Sequence, residues 1–185
     1  MNDLNDILRA AHCAARWHSN QKRKGAAAEP YINHLLEVAA IVADATGGAD
    51  ADMVIAALLH DTIEDCEVPV PLLERKFGAR VAGLVKEMTD DKSLDKAVRK
   101  QKQIESAPHK SPDAKILKLA DKISNVRAVA TSPCPDWSVA RRLDYVAWAE
   151  AVVKALDAAH PDLEREFAVA AHNARQAITV DDGEA

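Results

Sequence analysis

Glycine is scarce here, with only six in 185 residues, and aromatic residues make up just 4%. Little glycine together with abundant alanine favours helix over sheet, and the shortage of rings leaves the core to Ala, Leu, Val and Ile. Cysteine is sparse too. Cys13, Cys66 and Cys134 are odd in number and lack metal-ligand spacing, which excludes a disulfide framework and a thiolate zinc site and fits a reducing compartment. No apolar run approaches the roughly 18 residues that span a bilayer. The start of the chain, Met1 to Ile7, is polar and acidic, unlike a signal peptide. A net charge of -5 argues against a generic nucleic-acid coat, while leaving room for a local basic pocket. These absences describe a soluble, cytoplasmic protein with no nucleic-acid or membrane partner.

What is present is a hydrophobic share of 48%, enough for one domain with a substantial core. The expected fold class is all-α, a single helical globule of about eight to ten helices over residues 1–180, with a disordered tail at 181–185. Leu4 to Trp17 has helical spacing. Pro30 suits the first turn of a second helix ending near Ala45, before Gly47-Gly48. Asp50 or Asp52 caps a third helix, expected to carry His60 and Asp61. Val68-Pro-Val-Pro71 breaks the chain ahead of short helices over Leu72–Phe77 and Val81–Met88. Ser93 is the expected cap of the charged run to Ser106, whose charge reads as a solvated face. Ser111, Pro112 and Asp113 make a strong helix start. Asp136 is the expected cap of a long helix through Asp157, and Pro161 begins the last. No strand and no internal repeat is evident.

The most informative segment is Ala56 to Asp65, where His60, Asp61, Glu64 and Asp65 end an otherwise apolar stretch. On one continuous helix His60 would neighbour Glu64, and Asp61 would neighbour Glu64 and Asp65. Ionisable groups in such surroundings are normally paired or bind a metal. Two other segments offer ligands of the same kind: Tyr31-Ile-Asn-His34, and Lys118 to Asn125 with Asp121 among Ile116, Leu117, Leu119, Ala120 and Ile123. Two imidazoles and two carboxylates form a mixed nitrogen and oxygen set, better suited to Mn²⁺ or a similar divalent ion than to a closed zinc site. An ion held there with free positions would supply an activated water near neutral pH.

Each residue also has a plainer reading. His34 alone more often serves as a satisfied structural histidine. His60-Asp61 could be a buried ion pair, and Asp121 could form surface pairs with Lys118 and Lys122. Glu64 and Asp65 could be solvated acids, Arg23 and Lys24 an exposed loop, and Asn125 an ordinary helix residue. It is the joint occurrence of the four candidate ligands that favours a shared site. His12, His18, His109, His160 and His172 receive no ligand role. Trp17, Trp137 and Trp148 read as packing anchors rather than stacking platforms.

In order along the chain stand Lys24, Pro30 to His34, Ala57 to Asp65, Phe77-Gly78, Thr89 to Lys92, Ala107 to His109, Lys118 to Lys122 and Asn125. Together they resemble the hydrolase domain of RelA/SpoT proteins within the HD phosphohydrolase superfamily, most of all the stand-alone small alarmone hydrolases of animal SpoT-homologue type. The likeness spans about residues 5 to 165. It implies Mn²⁺ held by His34, His60, Asp61 and Asp121, with Glu64 and Asp65 positioning or deprotonating the attacking water. Arg23, Lys24 and Asn125 would contact the nucleotide. The implied reaction removes the 3′-diphosphate of guanosine tetra- or pentaphosphate, giving pyrophosphate and GDP or GTP. The chain departs from the family pattern at Ala28-Glu29, at Leu35 after the ligand histidine, and at Ser124 before Asn125; none of these is expected to touch the metal or water-activating groups. The alternatives are a phosphatase acting on the 2′-phosphate of NADPH or on another nucleotide with the same site, and a catalytically silent nucleotide sensor.

Overall fold

A computed structural model describes residues 3–157 and 159–183. Among the described residues, ten α-helices and one short 3-10 turn account for the regular structure, and one bridge between extended residues joins Lys22 and Pro30. The helices are α1 (Asp3–Trp17), α2 (Ile32–Ala45), α3 (Ala51–Leu59), α4 (Thr62–Cys66), α5 (Val70–Phe77), α6 (Ala79–Met88), α7 (Lys96–Ser106), α8 (Pro112–Thr131), α9 (Val139–Ala155) and α10 (Pro161–Gly183). The last helix reaches Gly183, while residues 184 and 185 of the expected tail lie outside the described residues. No described helix is long and apolar enough to cross a membrane.

Two helices are buried all round, and they organise the rest. Every residue of α3 from Met53 to Leu59 is buried, as is every residue of α8 from Leu117 to Ser124. A helical stretch with no exposed face has to be enclosed by others. Helices α1, α2 and α6 pack on α3, while α2, α6, α9 and α10 surround α8. The apolar atoms filling this core are almost all aliphatic, with Leu35, Leu58, Leu59, Leu117, Leu119, Ile123, Leu156 and Ile178 fully buried. Burying side chains of this size stabilises the fold by about 1.5–3 kcal/mol each relative to exposure.

Several helix starts follow the expected chemistry. Asp50 accepts a hydrogen bond from the Met53 N–H at 3.2 Å, and Ser111 accepts one from Ala114 at 3.3 Å. Others differ. The second helix begins at Ile32, so Pro30 precedes it and serves the bridge to Lys22. Helix α5 starts at Val70, because Pro71 fits its first turn rather than breaking it. Ser93 hydrogen-bonds Asp91 instead of capping α7, which starts after Asp95. Ser138, not Asp136, caps α9 through the Arg141 N–H.

The third helix does not run through His60. It stops at Leu59, and α4 starts afresh at Thr62. Side chains take the carbonyls that would have continued the ladder: His60 Nδ1 donates to Ala57 O at 2.7 Å, and Thr62 Oγ1 donates to Leu59 O at 2.7 Å. The expected continuous face of His60, Asp61, Glu64 and Asp65 is therefore bent. His60 and Asp61 turn inward, while Glu64 and Asp65 sit on a separate short helix.

Two loops far apart in sequence meet above this bend. Ala26 N–H donates to Pro133 O at 3.0 Å, and Ala27 N–H donates to Ser132 Oγ at 3.1 Å. Between them Gly25 lies so close that a Cβ there would stand 2.2 Å from Ser132 O.

Candidate metal centre

His34 comes from α2, His60 and Asp61 from the bend between α3 and α4, and Asp121 from the middle of α8. Their heads converge. His34 Nε2 lies 3.4 Å from Asp121 Oδ1 and 3.8 Å from Asp61 Oδ2, while His60 Nε2 lies 3.2 Å from Asp61 Oδ2 and 3.7 Å from Asp121 Oδ1. One ligand atom each from His34, His60 and Asp121 fall within 4.8 Å of one another. Asp61 joins them with its Oδ2 while also accepting a 2.6 Å hydrogen bond from the Tyr31 hydroxyl.

The tautomers follow from the partners. His60 Nδ1 faces a carbonyl, which can only accept, so Nδ1 carries a proton. Ser124 Oγ donates to Glu37 Oε2 at 2.6 Å, so it accepts from His34 Nδ1 at 2.8 Å. In its neutral form each ring, with its proton on Nδ1, directs a lone pair from Nε2 into the cluster. These two Nε2 atoms are buried and have no hydrogen-bond partner. Buried polar atoms are rarely left so. Two inward lone pairs beside two carboxylates fit a divalent cation.

The electrostatics separate the two rings. Burial pushes the His34 pKa down, keeping that ring neutral. At His60 burial acts the same way, but the adjacent Asp61 and Asp121 carboxylates overcome it and raise the pKa to about 10. Burial opposes ionisation of Asp121, yet the Lys122 ammonium and both imidazoles hold its pKa well below the usual range. For Asp61 burial is likewise outweighed, chiefly by His60. A divalent cation would neutralise the same two carboxylates and so displace the proton that they hold on His60. Lys118 and Lys122 are buried rather than paired on a surface: Lys122 donates to Asp121 Oδ2 at 3.1 Å with Trp148 4.5 Å beneath it.

Glu64 and Asp65 are held by neighbours instead of solvent. Glu64 Oε2 accepts from the Asp90 N–H at 3.1 Å, and Arg99 lies 3.9 Å from its other oxygen. Burial raises the Glu64 pKa despite that backbone donor. Asp65 accepts from Gln21 Nε2 at 2.6 Å and from Lys92 Nζ at 2.5 Å. Asn125 donates to Asp121 Oδ1 at 2.6 Å and accepts from Arg23 at 3.0 Å, bringing those two expected substrate residues to the rim of the cluster. Lys24 lines the same cavity as Arg23 and Asn125.

A cavity of about 930 Å³ opens from His34, Asp61, Glu64 and Asp65 to a basic, aromatic mouth. Trp137 packs against the core as expected and also lines the cavity, with the Arg141 guanidinium 4.8 Å and the Lys96 ammonium 5.8 Å from its ring centre. Tyr145 stands 5.3 Å from Trp137 and also lines the cavity. Trp148 acts as an anchor, donating to Lys100 O at 3.1 Å. The expectation that Ser124 touches no metal-binding group fails, since it bonds His34 directly. Sequence reasoning also missed Gln21, Tyr31, Lys92 and Tyr145. Tyr31 and Lys92 did lie within the matched segments; Gln21 and Tyr145 carried no signal beyond residue type.

Comparison with known proteins fits this geometry. Residues 10–150 match the HD domain family. The human guanosine-3′,5′-bis(diphosphate) 3′-pyrophosphohydrolase MESH1 is 46% identical over 158 residues, covering 85% of this chain and 88% of that protein. Its Drosophila melanogaster counterpart is 42% identical over 151 residues, 82% of this chain and 84% of the relative. A solved structure, described as a metazoan ortholog of SpoT that hydrolyses ppGpp, superposes with a TM-score of 0.86 at 38% identity, covering 89% of this chain and 93% of that one. The chain belongs to the HD domain family, among the guanosine-3′,5′-bis(diphosphate) 3′-pyrophosphohydrolases of the MESH1 kind.

Proposed function

We propose that this chain hydrolyses guanosine tetra- or pentaphosphate at the 3′ position, releasing pyrophosphate and GDP or GTP, with Mn²⁺ as its cofactor. The observation that carries the reading is the pair of buried, partnerless Nε2 atoms facing Asp61 and Asp121. His34, His60, Asp61 and Asp121 would hold the ion, whose mixed donor set suits Mn²⁺. When bound, the ion would supply Lewis acidity toward the phosphate and lower the pKa of water.

The remaining work falls to the protein's own side chains. Glu64, with its raised pKa, is suited to take a proton from the attacking water. Asp65, gripped by Gln21 and Lys92, orients that water. The Tyr31 hydroxyl, kept protonated by burial and by Asp61, holds the Asp61 carboxylate in place. Arg23 and Lys24 balance negative charge on the phosphates, and Asn125 ties Arg23 to Asp121. At the mouth, Trp137 and Tyr145 offer ring faces for a base, and Arg141 and Lys96 offer charge for further phosphates.

The test is a product assay. Purified Mn²⁺-loaded protein is offered guanosine tetraphosphate, NADPH and plain nucleotides side by side. GDP and pyrophosphate should form from the tetraphosphate. Turnover of NADPH alone would transfer the site to the phosphatase reading, and binding with no product would make the protein a sensor.

A further inference from the structure

We infer that His18 is a positioning residue whose imidazole fixes the Gln21 amide, and through it the Asp65 carboxylate, while its ring face supports Tyr31 and hence Asp61. The inference rests on the role given above to Asp65.

His18 follows the last residue of α1 and is 3% exposed. Its Nδ1 lies 2.6 Å from Gln21 Oε1, and Gln21 Nε2 lies 2.6 Å from Asp65 Oδ2. An ionised carboxylate only accepts, so Gln21 must turn its NH₂ toward Asp65 and its oxygen toward His18. That oxygen in turn requires a donor, so His18 must carry its proton on Nδ1. The other ring nitrogen, His18 Nε2, is buried and without a hydrogen-bond partner. Cys66 Sγ stands 3.5 Å from the same Nδ1 but does not take its proton; burial, then Asp65 and Asp61, push the thiol pKa up to about 11, and the thiol donates to Trp17 O.

The ring has a second contact. It stacks on Tyr31 at 5.2 Å and 19°, and the Tyr31 hydroxyl donates to Asp61 Oδ2. The backbone closes the unit, since Tyr31 N–H donates to Gln21 O at 3.0 Å. One imidazole thus braces both a proposed ligand and a proposed water-orienting group, without touching either. Without the Nδ1 donor, the Gln21 amide is free to rotate and present an oxygen to Asp65, acceptor against acceptor.

His18→Phe keeps a ring over Tyr31 and removes the donor. It should lower kcat about tenfold, as expected for a lost hydrogen bond in a chain ending on a charged group, with KM within about twofold. His18→Asn, which can return an amide N–H to the Nδ1 position, should recover most of kcat. Combining His18→Phe with Gln21→Leu should cost no more than either alone, because both act on one chain of bonds. Asp65→Asn in the same assay separates the two levels. If Asp65→Asn turns over normally, the role of Asp65 falls and this inference falls with it. If Asp65→Asn is slow but His18→Phe has normal kcat, the inference alone is overturned. Imidazole ¹⁵N NMR of the metal-free protein gives a readout independent of activity and of how the variants fold. A proton on His18 Nδ1 is the expected spectrum, and protonation on Nε2 alone would overturn the inference.

Discussion

The floor of the cavity and its mouth are built on opposite plans. At the floor, His34, His60 and Asp121 are buried, and their remaining polar atoms are engaged by Ser124, Ala57 O, Asn125 and Lys122. They come from helix α2, the bend after α3 and helix α8. At the mouth, long cationic side chains lie over aromatic rings, as Arg141 and Lys96 do at Trp137. Those side chains keep rotamer freedom and water contact. A floor of this kind dictates a geometry, whereas a mouth of this kind attracts charge and accepts some variation in what it holds.

The comparison is tested first at the floor. Chelation should abolish turnover and added Mn²⁺ restore it, with the ion raising stability by about 4 kcal/mol at a concentration about 1,000 times Kd. His60→Ala should remove both effects; calorimetric titration showing unchanged Mn²⁺ affinity would dismiss His60 as a ligand. Next, Glu64→Gln with Asp65→Asn should keep the ion but slow kcat by about 10²–10⁴, the usual contribution of proton transfer by a positioned group. Near-normal turnover in that variant would remove both residues from the chemistry.

Smaller effects sharpen the boundary between the two regions. Ser124→Ala severs the link between His34 and Glu37 and should weaken Mn²⁺ binding about 10- to 100-fold, typical of a lost partner behind a ligand histidine. At the mouth, Lys24→Ala or Arg141→Ala should raise KM about two- to fivefold with kcat unchanged, as exposed charges contribute little each. The KM of the parent protein should also rise with salt, because exposed charges are screened. Ion affinity falling as steeply as substrate affinity in these variants would erase the distinction drawn here.

Much of the floor was legible in the sequence because its residues sit inside apolar runs, where His60 and Asp121 are chemically out of place. Helix α8 was legible for a similar reason, since Ser111-Pro112-Asp113 announces its start locally. The break at His60 was not. It arises when the His60 and Thr62 side chains take backbone carbonyls, a competition that periodicity does not register. The cap of α9 was misplaced because Asp136 and Ser138 are both competent cap residues, and in the fold it is Ser138 that takes the Arg141 N–H. The roles of Gln21 and Tyr31 depend on partners 44 and 30 positions away, invisible until the chain folds.

Gly25 sets the size of the doorway. With only a hydrogen facing Ser132, two segments more than a hundred positions apart are riveted into one continuous lintel, so the side that carries Arg23 and Lys24 cannot swing free of the side that leads to Trp137. A single methyl at that point would act as a wedge, prising the lintel apart and leaving the ions and rings beneath it set for a guest of a different width.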